Sequence, residues 1–399
     1  MALEMDFSIQ NEKLGQAIEL LQLYSIDAWL IFVRETNLQP DPALDLVLGF
    51  DVTWVSAFLL CRTGERIAIV GRYDVENVRR VGGYSEVLGY DESIAPLLKS
   101  VLKRLNPEQI AVNYSEDDIA ADGLSHGMWL LLNSILADTP YKHRLVTAAK
   151  IAAPLRGRKT STEISRLRGA VKTTQDILQS LTPQLTIGQT APEIYALALA
   201  EMAKRGVTPA WSPCPMVAPG PDAPVGHTAP EAKYLTRAGK LLHMDIGVKQ
   251  EGYHSDMQRV WYFMAPDENS IPLEVQTGFN LVRKALLAAA AALKPGARGW
   301  EVDAASRQVF IDNGIPQYQH AVGHHLGRAV HDGATVLGPR WPKYGKTVEG
   351  IVEIGNVYTL ELGFLLEGYG YLGLEEDVLV SETGLEWLSQ PQTELWVIS

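Results

Sequence analysis

Two carboxylates stand in strand-like text where a sheet core would be expected. Asp245 and Asp256 lie in LLHMDIGVKQEGYHSDMQRVWYF (241–263). The segment KQEG (249–252) reads as a turn between two strands. A four-residue loop there pairs residues whose numbers sum to 501, which sets Asp245 directly opposite Asp256 on one face. Their Cβ atoms would then be about 4.5–5.5 Å apart. Like charges at that spacing repel, and burial makes ionisation costlier. A cation between them removes the conflict. Taken alone, the pair also fits a solvent-facing hairpin whose aspartates meet water.

Other residues change the weighting. QYQHAVGHHLGRAVHDG (317–333) concentrates His320, His324, His325 and His331. VYTLELGF (357–364) places Glu361 inside a strand run, and YLGLEEDVLV (371–380) places Glu376 beside another. A strand-embedded carboxylate needs a partner. Two aspartates, a histidine and two glutamates in apolar contexts have the composition of a two-metal site. Oxygen-rich ligands with one imidazole suit Mn²⁺, Co²⁺, Fe²⁺ or Zn²⁺ rather than an ion selected by thiolates. His243 and His254 share the aspartate hairpin and read as neighbouring or packing residues.

The elements that must position these groups fall into two parts. In the first 155 residues, AWLIFV (28–33), SAFLLC (56–61), RIAIVG (66–71) and IAVNYS (110–115) read as buried strands, with helices over 11–24, 74–80, 93–105 and 118–136. This predicts an α/β domain spanning 1–155. The remainder, 156–399, reads as a second domain with an internal duplication. A helix over 163–181 and another near 275–293 are each followed by a Pro/Gly connector, then by a second helix stopping at Gly206 or Gly314. The repeat of about 110 residues is too long for a solenoid. Two such α+β halves facing each other leave a central cleft.

Composition narrows the function. A net charge of −12 argues against broad nucleic-acid or anionic-membrane binding. The two cysteines, Cys61 and Cys214, supply neither a disulfide framework nor a Cys-based zinc site. The start, MALEMDFSIQ, shows no secretory signal, and the apolar run 285–293 is too short to span a bilayer. The expectation is a soluble, cytoplasmic protein. GKT (345–347) is similar to the end of a phosphate loop, but Arg340 occupies the glycine position.

From Asp245 onward the chain resembles the pita-bread metallopeptidases: methionine aminopeptidase, aminopeptidase P and Xaa-Pro dipeptidase (prolidase), with creatinase as a relative. The resemblance rests on Asp245-Ile-Gly247, Ser255-Asp256, Gly323-His324-His325-Leu326-Gly327, Glu361-Leu362-Gly363 and Glu376-Asp377, in that order. The N-terminal part, including NLQPDPALDLVLGF, resembles the creatinase-type N-terminal domain. It implies that Asp245, Asp256, His324, Glu361 and Glu376 are metal ligands, with Asp256 and Glu376 bridging two cations, manganese being the first expectation. It also implies substrate-side roles for His227, His320 and His331, and a proton-shuttle role for Glu361. Leu362, His325 and Leu374 depart from the family pattern, Leu374 standing where proline-directed enzymes often carry an arginine two residues before the second glutamate.

The implied activity is hydrolysis of short proline-containing peptides by a hydroxide shared between two cations. The implied partners are a short peptide or small amide and a second copy of the chain. Alternatives are a creatinase-like hydrolase of a small amide or amidine, and a pita-bread lyase. Trp211 and Trp341, in Pro-rich loops, are candidates for the cleft rim, and Arg328 and Arg340 for a substrate-carboxylate anchor.

Overall fold

In the computed structural model residues 6–399 are described. They form two compact units that divide between Thr162 and Glu163.

The first unit is built on a six-stranded sheet. Its strands are β1 (Ala28–Val33), β2 (Ser56–Cys61), β3 (Arg66–Gly71), β4 (Glu86–Tyr90), β5 (Ile110–Val112) and β6 (Leu145–Thr147). Their order is β4-β3-β2-β1-β5-β6, with β1 antiparallel to β2 and parallel to β5. Both faces of β1 and β2 are buried, which explains their unbroken apolar text. The helices are α1 (Ser8–Leu23), α2 (Leu44–Val47), α3 (Val75–Val81), α4 (Ala95–Leu105), α5 (His126–Ile135) and α6 (Ala149–Gly157). The helix expected over 118–136 starts later, at His126. There the Ser125 hydroxyl accepts from the Met128 N–H, while Ile119–Ala121 form a separate 3₁₀ turn. Helix α6 extends beyond residue 155 and belongs with this unit.

The second unit repeats a pattern. Helix α7 (Ser161–Leu181) is followed by α8 (Ala191–Lys204), and α9 (Leu273–Ala292) by α10 (Gly299–Asp312). The Thr190 N–H donates to Glu193 at the start of α8, and the Arg298 N–H donates to Glu301 at the start of α10. Beyond these helices Gly206 and Gly314 take left-handed φ values of 67° and 66°. The two helix starts and the two glycines are separated by the same interval, so the duplication extends to the signals that begin and end the helices.

The strands of this unit are β7 (Thr208–Pro209), β8 (Met216–Pro219), β9 (Lys240–Ile246), β10 (Val248–Gln250), β11 (Tyr253–His254), β12 (Met257–Phe263), β13 (Val357–Leu366), β14 (Gly370–Ser381), β15 (Gly384–Trp387) and β16 (Trp396–Ile398). The main sheet runs β13-β14-β12-β9-β8, with β15 on β14 and β16 on β12. One apolar cluster packs α9 and α10 against Val260, Tyr262, Leu360, Leu362, Leu372 and Leu374. Another packs α7 and α8 against Leu242, Met244, Trp261 and Phe263.

The hairpin register differs from the expected one. The turn between β10 and β11 has two residues, Glu251 and Gly252, both at positive φ, and pairs Gln250 with Tyr253. This shifts the pairing so that Asp245 faces Gln258 rather than Asp256. Asp256 is two residues from Gln258 and thus a diagonal neighbour of Asp245 on the same face. Gly247 permits the kink between β9 and β10, since a Cβ there would lie 2.0 Å from the Ser255 carbonyl oxygen.

Candidate metal centre

Four adjacent strands contribute one lateral row of polar residues. Asp245 on β9 faces Gln258 on β12, Gln258 faces Glu375 on β14, and Glu375 faces Glu361 on β13. Asp256, just before β12, lies beside the row. His324 reaches it from the segment before β13, where the Thr359 N–H donates to the His324 carbonyl. Its Nε2 is 3.7 Å from Asp256 Oδ2 and 3.8 Å from Glu361 Oε1. Ligand atoms of Asp256, His324 and Glu375 all lie within 4.8 Å of one another, a spacing suited to a metal ion.

The row corrects one expected ligand. Glu375, not Glu376, turns into the cluster. Side chains alternate along β14, so Glu376 faces the other way, opposite Leu360. Its carboxylate is fully engaged there by Arg259 Nη2 at 2.9 Å, the Ser389 hydroxyl at 2.6 Å and the Gln392 N–H at 3.0 Å. Arg259 is itself buried and also donates to the Gln258, Glu375 and Gln390 carbonyls. Glu376 is therefore a structural anchor on the reverse face. With Glu375 as the inward residue, the position two before it is Gly373 rather than Leu374.

The electrostatics explain why the inward carboxylates need a counter-charge. Burial, reinforced by Glu361, pushes Asp245 up to about 8. Burial also raises Asp256 well above the usual range, with Glu375, Asp245, Asp377 and Glu361 adding to it. Glu375 is raised likewise, by burial, Glu361, Asp245 and Asp377. Asp245 Oδ1, Asp256 Oδ1 and Glu375 Oε1 are buried without a hydrogen-bond partner. The His324 Nδ1 lies 3.1 Å from the His325 carbonyl. Donation there leaves Nε2, with its lone pair, aimed at the carboxylates. Orphaned carboxylate oxygens facing an imidazole lone pair suit a bound cation.

The other histidines divide by position. His331 packs edge-on against His324 with ring centroids 4.3 Å apart, and burial, followed by the neighbouring His324, lowers its pKa to about 4. His227, on an exposed loop, is near enough to act electrostatically on His331. His320 packs on Tyr318, its Nδ1 2.7 Å from the Ala321 carbonyl, and the described hydrogen bonds and ion pairs do not join it to the carboxylates. His325 is buried against Tyr358, and His254 lies beside the Gly327 carbonyl. Arg340 pairs with Glu349 and covers the Trp300 ring at 3.8 Å, while Arg328 lies over Tyr253. Trp211 packs beside Gly247, and Trp341 stacks on Tyr344.

Two residues of the site were not anticipated. Glu375 was legible in principle: Leu372, Leu374, Val378 and Val380 share parity with Glu376, which assigns Glu376 to the apolar face. Gln258 carried no signal, since a lone amide in a strand commits to no chemistry.

Comparison with known proteins places the chain among metallopeptidases. The model of metallopeptidase family M24 matches residues 165–382. An uncharacterized peptidase of Staphylococcus haemolyticus is 31% identical over 236 residues, covering 59% of this chain and 63% of that protein. A Xaa-Pro dipeptidase of Pyrococcus furiosus is 26% identical over 239 residues, covering 59% and 64%. Among solved structures, an X-Pro aminopeptidase from Thermotoga maritima superposes with a TM-score of 0.71 at 22% identity, over 96% of this chain and 99% of that one. A Xaa-Pro dipeptidase from Bacillus anthracis does so with 0.73 at 21%, over 98% and 100%. The fold is the pita-bread fold with an α/β N-terminal domain. No helix among the described residues is long and apolar enough to cross a membrane.

Proposed function

The chain belongs to metallopeptidase family M24, and we propose that it hydrolyses short peptides at Xaa-Pro bonds with two divalent cations, manganese first among them. Asp245, Asp256, His324, Glu361 and Glu375 would hold the cations. The observation that carries this reading is the lateral row of inward carboxylates with Asp256 beside it, where Asp245 Oδ1, Asp256 Oδ1 and Glu375 Oε1 are buried without a hydrogen-bond partner. The 26% identical Xaa-Pro dipeptidase supports the substrate class. Bound cations would supply Lewis acidity toward a peptide carbonyl and ease deprotonation of water near neutral pH.

The chain's own groups take the remaining tasks. Glu361 keeps 21% of its side chain exposed, against 7% for Asp256. It is placed to accept a proton from the attacking water and pass it to the leaving nitrogen. His331 stays neutral at pH 7 because burial and His324 oppose its charging. It retains an N–H to donate to the carbonyl oxygen as that atom gains negative charge, with His227 near enough to act on it electrostatically. His320, whose Nδ1 lies 2.7 Å from the Ala321 carbonyl, would contact the substrate near the leaving group. The test is metal-stripped protein reloaded with Mn²⁺, Co²⁺, Zn²⁺ or Fe²⁺ and assayed on Xaa-Pro dipeptides, longer Xaa-Pro peptides, proline-free controls and creatine-like amides. Release of the N-terminal residue before proline is expected. Turnover confined to the amides would overturn the reading.

A further inference from the structure

We propose that Gln258 is a neutral clamp that aligns the two glutamates of the site, and that His243 sets the direction in which it acts. Gln258 stands at the centre of the lateral row, between Asp245 and Glu375, and is buried. Its Nε2 donates to Glu375 Oε2 at 3.0 Å and to Glu361 Oε2 at 3.3 Å. One amide group therefore holds one oxygen from each glutamate. The opposite oxygen of each is left for other work, and Glu375 Oε1 is buried without a partner.

An amide can perform this task in only one orientation. Flipped, it would present its oxygen to two carboxylates. His243 Nε2 lies 2.9 Å from Gln258 Oε1, and as donor it locks the flip. Tyr371 packs edge-on against the His243 ring at 4.9 Å and fixes its plane. Gly373 completes the arrangement. A Cβ there would lie 2.8 Å from both Gln258 Oε1 and His243 Nε2 and 2.5 Å from the Tyr371 ring. The absence of a side chain at 373 is what leaves room for the three partners. A neutral donor holds two acidic residues in place without adding charge that would compete with a cation.

The inference rests on the metal-site reading above, so wild-type binding is measured first. Metal-stripped wild type, Gln258→Met, His243→Phe and the double variant are titrated with Mn²⁺ by calorimetry. The thermal midpoint of each metal-free form is recorded, and kcat and KM are followed on a Xaa-Pro dipeptide at saturating Mn²⁺. Methionine keeps the volume of glutamine and removes only the amide. Loss of a group that orients a ligand typically weakens metal affinity about 10–100-fold, and that is expected of Gln258→Met, with kcat falling more than KM rises and the metal-free midpoint little changed. His243→Phe should show a smaller loss, and the double variant no more than Gln258→Met alone, because both act through one amide. Gly373→Ala should reproduce the loss by crowding both residues, with neither of them substituted. Wild-type Mn²⁺ affinity in Gln258→Met overturns the clamp, and additive losses in the double variant overturn the part given to His243. If wild type itself binds no Mn²⁺, the metal-site reading falls and the clamp falls with it, an outcome distinct from the other two.

Discussion

Glu375 and Glu376 carry the same functional group one residue apart, so replacing each in turn separates two kinds of cost. Glu375→Gln removes one of several crowded buried carboxylates. It should leave the metal-free protein as stable as before, or more so, and abolish tight Mn²⁺ binding. Glu376→Ala leaves Arg259 buried without its carboxylate, and breaking such a pair costs about 3–5 kcal/mol. It should lower the thermal midpoint sharply and leave metal stoichiometry intact in whatever remains folded. Calorimetry and metal analysis on both variants check this, and the reverse pattern would return Glu376 to the site. In the sequence Glu376-Asp377 fits the motif letter by letter, whereas the alternation in Leu372, Leu374, Val378 and Val380 assigns Glu376 to the apolar face. Asp245, Asp256 and Glu361 needed no such correction of side-chain direction, because no second carboxylate adjoins them, and His324 is told from the adjacent His325 by its place directly after Gly323 in the motif. His331→Ala belongs at the same scale. A group that acts on the developing oxyanion should lose kcat by about 10²-fold or more and leave metal content unchanged. Loss of an ion in that variant would make His331 a ligand.

Strand pairing decides which of these residues meet, and the hairpin shows how much of that was legible. The strands themselves were readable from their apolar runs, and β1, β2 and β3 fall at the expected residues. Register was not, because it depends on turn geometry that the letters KQEG leave open. A four-residue loop and a two-residue turn with positive φ at Glu251 and Gly252 differ by two positions in pairing. That difference preserves the face of every side chain, which is why Asp245 and Asp256 still converge. A slip of one would have turned all of them over. Gly247 is the element-scale point of failure. Gly247→Ala forces a Cβ against the Ser255 carbonyl, beneath the strand that leads to Asp256. Strain of this kind should cost about 2 kcal/mol, which lowers the thermal midpoint by roughly 4–8 °C in a unit of this size. Mn²⁺ binding should weaken with it, since Asp245 and Asp256 flank the distortion. An unshifted midpoint would mean that the kink relaxes without cost.

At the scale of the whole molecule, the site opposes folding until its charge is met, and pH exposes the conflict. Asp245 is raised from 3.8 to about 8, and Asp256 and Glu375 are raised as well. Between an unfolded value near 4 and the raised folded value, the unfolded chain has released these protons and the folded chain keeps them. Stability falls with rising pH wherever the folded state binds more protons, so these carboxylates favour folding below about 4 and lose that advantage up to about 8. Three histidines act in the other direction, His254 among them, lowered first by burial. His243 and His331 drop from 6.5 to about 4, so the unfolded chain binds more protons between those values and stability rises across that window. The two effects overlap from 4 to 6.5 and partly cancel. Above 6.5 only the carboxylates remain. Metal-free protein should therefore lose thermal stability steadily from pH 6.5 to 8. Mn²⁺ binding requires ionised carboxylates and neutral imidazoles, so it releases protons and tightens as pH rises. The gap between the midpoints of loaded and metal-free protein should widen over the same interval. Thermal scans at several pH values, with and without Mn²⁺, measure both slopes. A metal-free midpoint that is flat or rising from 6.5 to 8 would show that the inward carboxylates are already ionised in the folded state, and the conflict assigned to the site would not exist.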